Sequence, residues 1–167
     1  MKHTELTEVL AGLSNKKNQK IINPSTGGYS FGQIPEGSGP LLGGEIYLKL
    51  GYIGHGHPND PNKKGATGAR HIYEKHGLEL NLDYFNLVPS FVNRILQDEA
   101  SILIDKNRAN YIKAPIVVNS PHGMVALGQN GSPESGISYE IVSAYERNDQ
   151  KGTKVGEIKK PAKAGSV

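Results

Sequence analysis

The sequence predicts an α+β domain, with N-terminal helices packed on a twisted antiparallel sheet. Three observations carry that expectation. Helix-period apolar spacing occurs only in the first hundred residues. Runs of β-formers separated by turn signals dominate the remainder. Gly (21) and Pro (10) are abundant in 167 residues, which suits short elements and tight turns rather than a long-helix bundle.

The elements follow in order. Residues 4–14 place Leu6, Val9, Leu10 and Leu13 on one helical stripe, with Thr4 as N-cap. Residues 15–44 break into KKNQK, NPSTGG and PEGSGPLLGG and read as loop or extended lead-in. Glu45–Tyr52 alternates β-formers and predicts a strand. After a Gly/His/Pro/Lys loop at 54–66, Thr67 is placed as N-cap of a helix over Gly68–His76. Gly77 fits its left-handed stop position. Pro89–Gln97 predicts a second helix, with Pro89 in its first turn and Val92, Ile95 and Leu96 on its apolar face. Strands are then expected at Ala100–Ile104, Asn110–Asn119, Met124–Gly128 and Ile137–Arg147. Ser120-Pro121-His122-Gly123 and residues 129–136 are the connections. The Lys-rich end after Asn148 is expected to be mobile. The chain therefore divides into a lead-in (1–44), a core (45–148) and a flexible tail (149–167).

Composition narrows the chemistry. There is no cysteine, which excludes disulfides and thiolate metal sites. No apolar run approaches bilayer length, and no signal-peptide pattern opens the chain. The net charge is +3, with five lysines in residues 151–167. Two basic clusters lie in the middle: Lys63, Lys64, Arg70 and Lys75, then Lys106, Arg108 and Lys113. Such clusters attract a polyanion, or simply form a solvated face.

The histidines carry the sharpest signal. His55 and His57 have chelating spacing, and His71 with His76 could complete a zinc set. Five residues, however, rotate a helix by about 140° past whole turns, so His71 and His76 point apart. Lys75 lies four residues after His71 and shares its face. Arg70 is adjacent, and His76 sits at the helix end. An imidazole near neutrality, a neighbouring cation and an arginine for phosphate form a usable set for metal-free RNA cleavage. A phosphate could also settle at this helix N-terminus, beside Lys63 and Lys64. On the Ile137–Arg147 strand, alternation puts Tyr139, Ile141, Ser143 and Tyr145 on one face, where Ser143 and Tyr139 could bind a phosphate or stack a base.

The stretch EIYLKLGYIGHGHPNDPNKKGATGARHIYEKH, followed by an apolar helix and a strand ending IVSAYER, resembles a group of bacterial toxin domains. These are the C-terminal tRNase domains of contact-dependent growth-inhibition proteins and related phage nucleases, of the barnase/EndoU/colicin/RelE-like kind. The resemblance spans about residues 45–147. It implies helices on an antiparallel sheet and cofactor-free, metal-independent cleavage of RNA, with tRNA as the first candidate. It also implies a tight immunity protein as partner, with a translation factor as a further candidate. Delivery would be as the C-terminal part of a secreted or surface protein, with action in the target-cell cytoplasm. Family roles map onto His71 and His76 as base or acid, and onto Ser143 or Tyr145. Lys75 and Arg70, with Lys63, Lys64, Arg108 and Lys113, would hold substrate. Two other readings stand beside it: a non-catalytic basic module that binds nucleic acid or an acidic protein, and a zinc-dependent hydrolase built on His55, His57, His71 and His76.

Overall fold

The computed structural model describes residues 18–51, 67–77, 87–104, 116–147 and 152–161. The expected helix at 4–14 lies outside them. Among the described residues strand is 48% and helix 16%, and the predicted architecture of N-terminal helices on a sheet is overturned. Seven strands form one curled sheet: β1 (Ser30–Ile34), β2 (Gly44–Tyr47), β3 (Ser101–Ile104), β4 (Ile116–Ser120), β5 (Gly123–Ser132), β6 (Gly136–Tyr145) and β7 (Thr153–Glu157). Their order is β1-β2-β6-β5-β4-β3-β7. Every pairing is antiparallel except β2 with β6. Among the described residues two short helices accompany the sheet, α1 (Gly68–His76) and α2 (Val88–Ile95).

Two of these strands were not expected. β1 lies in the segment read as lead-in, and β7 in the segment read as a mobile tail. Each carries few apolar residues. In β1 only Phe31 and Ile34 bring large apolar side chains inward. β7 offers Val155 alone. What orders them is backbone pairing, which leaves little trace in hydrophobic periodicity. The sheet curls into a half-barrel, and the chain just past β7 bridges to β1. The Gln33 N–H donates to the Lys159 carbonyl (2.8 Å), and the Lys159 N–H donates to the Gln33 carbonyl (3.1 Å).

The remaining strands sit close to their predicted positions, with shifted ends. The β4–β5 turn at Pro121-His122 is a two-residue hairpin with Ser120 opposite Gly123. The expected loop at 129–136 shrinks to three turn residues, because β5 runs on to Ser132. The interior is filled by alternate strand residues such as Ile46, Ile102, Val118, Val125 and Ile141. Val88, Val92 and Ile95 of α2 and Ala69, Ile72 and Tyr73 of α1 join them, and all are essentially inaccessible. α2 starts as predicted, with proline in its first turn.

One irregularity changes which residues share a face. Leu127 pairs with Ile141 and Ala126 with Ser143, so Val142 is an extra residue on β6. This β-bulge slips the alternation by one. Ala144, rather than Ser143, then follows Tyr139 and Ile141 into the core. Ser143 lies with Ala126 on the opposite face, contrary to the strict alternation read from the sequence.

Candidate functional site

α1 is held at its start by the chain that leaves β2. The β2–β6 ladder ends at Tyr47–Glu140. Beyond it, Lys49 pairs with Glu140 at 3.4 Å. The carbonyls of Lys49 and Leu50 accept the N–H groups of Ala69 and Arg70, at 3.0 and 2.9 Å. Two of the orphan donors of a helix N-terminus are thereby used internally. Those two amides are not available to the phosphate expected at this helix end. Thr67 is the N-cap, but its hydroxyl makes no capping bond. Gly77 is right-handed (φ −57°), not the left-handed stop that was expected.

The anchoring rests on a pair of glycines that sequence reading missed. Gly51 (φ +80°) and Gly68 (φ +77°) cross with their backbones in contact. A Cβ on Gly51 would lie 2.0 Å from the Thr67 carbonyl oxygen, and one on Gly68 2.7 Å from that of Lys49. Only glycine permits both the positive φ and this approach. The sequence signal was present in two glycines, one leaving a strand and one opening a helix, but nothing local pairs them.

From this anchor α1 packs chiefly against β6. Ala69, Ile72 and Tyr73 face the core, yet Arg70 (1% exposed) and His71 (9%) are also enclosed, so the helix is covered on more than one side. His71 is engaged by a further interaction. The Arg70 Nη1 donates to the Gly51 carbonyl at 3.1 Å, while Nε and Nη2 are buried without a hydrogen-bond partner. Burial draws the guanidinium below the ordinary arginine pKa. On β6, Ser143 is 2% exposed, and its Oγ is likewise buried and unpartnered. Tyr145, two residues on, is half-buried, with the Arg147 guanidinium 5.1 Å from its ring centroid.

The expected site residues therefore divide. His71 and Arg70 stand on α1, which packs on β6, whereas Ser143 of β6 lies on the sheet face turned away from the core that α1 joins. Lys75 and His76 continue α1, but their side chains lie outside the described residues. Lys63, Lys64, Arg108, Lys113, His55 and His57 lie outside them entirely. Tyr139, expected to meet substrate, is fully buried, and its hydroxyl donates to the Leu42 carbonyl at 2.6 Å. It belongs to the core, and burial with Glu36 nearby holds its pKa above the usual tyrosine value.

A separate cavity of about 550 Å³ opens between β3 and the β4–β5 turn, lined in part by Asp98, Glu99, Ser101 and Asn119. Its two carboxylates make it a poor seat for a polyanion. Comparison with family models, curated proteins and solved structures finds no match.

Proposed function

We propose that the chain is a metal-independent endoribonuclease of the bacterial toxin type, with tRNA as its first candidate substrate. The supporting observation is the enclosed junction of α1 with β6. There His71, a histidine 9% exposed, stands next to the buried guanidinium of Arg70, whose Nε and Nη2 have no hydrogen-bond partner. Buried polar groups are normally satisfied, and exceptions concentrate at sites that do chemistry.

His71 takes the proton of a ribose 2′-OH. The freed oxygen attacks the adjacent phosphorus and the bond to the 5′-oxygen breaks, leaving a 2′,3′-cyclic phosphate and a 5′-hydroxyl. The proton for the leaving oxygen comes from His76 or Tyr145. Lys75, on the His71 face of α1, offsets the charge that builds on the phosphate. A base and an acid placed in this way are worth about 10²–10⁴-fold each.

The test is incubation of the protein with total tRNA in EDTA, followed by sequencing of the new ends. New ends bearing cyclic phosphate are expected, together with a His71→Gln variant slowed by about 10²–10⁴-fold. Glutamine is chosen because His71 is almost fully buried and alanine would leave a cavity. Intact RNA from folded wild-type protein, or cleavage unchanged in the variant, overturns the reading.

A further inference from the structure

The chain between α2 and β3 bends through a residue ill suited to its conformation. Glu99 has φ +70°, the left-handed region that glycine enters freely. The backbone around it is pinned. The Glu99 N–H donates to the Ile158 carbonyl (3.0 Å), and the Ile158 N–H donates to the Ala100 carbonyl (2.9 Å). The Asp98 Oδ1 accepts the Lys160 N–H. This bend borders the cavity of about 550 Å³, which Gln97, Asp98, Glu99 and Ser101 help to line. That volume lies within the range of small-molecule sites, about 300–1,000 Å³. No Lys, Arg or His is among the described residues that line it. Neither carboxylate forms an ion pair among the described residues, where the ion pairs are Lys49–Glu140 and Lys154–Glu157. In a chain of net charge +3, the cavity is a local reversal of sign.

We propose that this cavity binds a small organic cation with several N–H donors, of the polyamine class. Its chemistry is that of an acceptor site. Asp98 and Glu99 bring negative charge and carboxylate oxygens, and Gln97 and Ser101 add neutral acceptors. An alkylammonium group has donors only, and its bonds to carboxylate are charge-assisted. Size separates this ligand from a bare metal ion. The cavity has room for a whole small polyamine, and no group of three metal-ligating side chains occurs among the described residues. The pinned bend holds the carboxylates in place before the ligand arrives, which lowers the ordering cost of binding. Glycine would hold the same bend without strain, so the Glu99 side chain is present at a cost in stability. The cavity shares no residue with α1 or β6, so this site and the ribonuclease reading can fail separately.

The test is isothermal titration calorimetry on the full chain without RNA, at low ionic strength, with spermidine as the probe. Tetramethylammonium chloride, which has the charge without N–H donors, and magnesium chloride are the controls. Spermidine should bind saturably at one site per chain, and neither control should. Asp98→Asn, which keeps an acceptor for the Lys160 N–H, and Glu99→Gln should each weaken spermidine binding by about tenfold or more. Glu99→Gly relieves the bend, so its thermal unfolding midpoint should equal or exceed that of the wild type while spermidine binding falls. The distant surface change Lys154→Gln should leave binding as it is. No saturable binding of spermidine to folded wild-type protein, equal binding of tetramethylammonium or magnesium, or undiminished binding in Glu99→Gly overturns the proposal.

Discussion

Tyr139 shows how one side chain couples burial to pH. It is inaccessible, donates to the Leu42 carbonyl, and has its pKa raised from 10.0 by desolvation and by Glu36. The folded state then holds the phenolic proton more tightly than the unfolded chain does. That contribution is complete below the unfolded pKa and is lost as pH rises through the folded one. Wild-type stability should therefore fall above about pH 10 more steeply than that of Tyr139→Phe. At neutral pH the variant should be about 1 kcal/mol less stable, from the lost hydrogen bond. Urea midpoints for both proteins between pH 8 and 11 check this, and parallel curves would contradict it. Ser143 makes a related point. Its residue type suggested a functional hydroxyl, but only the bulge at Val142 decides which face it lies on.

At the scale of elements, α1 is positioned by contacts outside itself. Its start carries no side-chain cap and no acidic residue in the first turn. An isolated helix of this length is marginal in water. Lys49, Leu50 and the Gly51–Gly68 crossing supply what the helix lacks. A methyl at Gly51 meets the Thr67 carbonyl, so Gly51→Ala should cost more than about 3 kcal/mol, combining strained φ with backbone collision. Gly37 is the control. It also has positive φ (+85°), but open space surrounds its Cβ position. Gly37→Ala should cost only about 1 kcal/mol. Denaturant unfolding of the two variants compares them directly. In Gly51→Ala, amide exchange over residues 69–73 should also quicken ahead of α2.

Over the whole molecule, the fold is closed by its C-terminal strand. β7 covers the edge of β3, Ile158 enters the core at 3% exposure, and Lys159 reaches β1. Asp98 ties down the next residue by accepting the Lys160 N–H at 2.6 Å. Ile158→Ala should lower stability by about 2–4 kcal/mol, as for other buried aliphatic truncations. Lys154→Ala, on the exposed side of β7, should change it by less than about 1 kcal/mol. A chain ending at Arg147 should lose cooperative unfolding. A dispensable tail would leave the calorimetric midpoint of that truncation unchanged, and such a result would contradict the closure.

Elements with strong local signatures are legible in the order of residues alone. Val92, Ile95 and Leu96 mark α2, Pro121-His122 marks a hairpin, and alternating β-formers mark β2 through β6, because these signals lie within a few residues of one another. That order also placed His71 and Arg70 on one helix, and Ser143 and Tyr145 on one strand. The tertiary structure alone decided the rest. β1 and β7 are ordered by pairing with partners distant in sequence, so their own apolar content says little. The bulge reassigns Ser143 because register is a property of two strands. The burial of Arg70 beside Gly51 depends on two glycines seventeen positions apart meeting in space, and no local pattern encodes that distance.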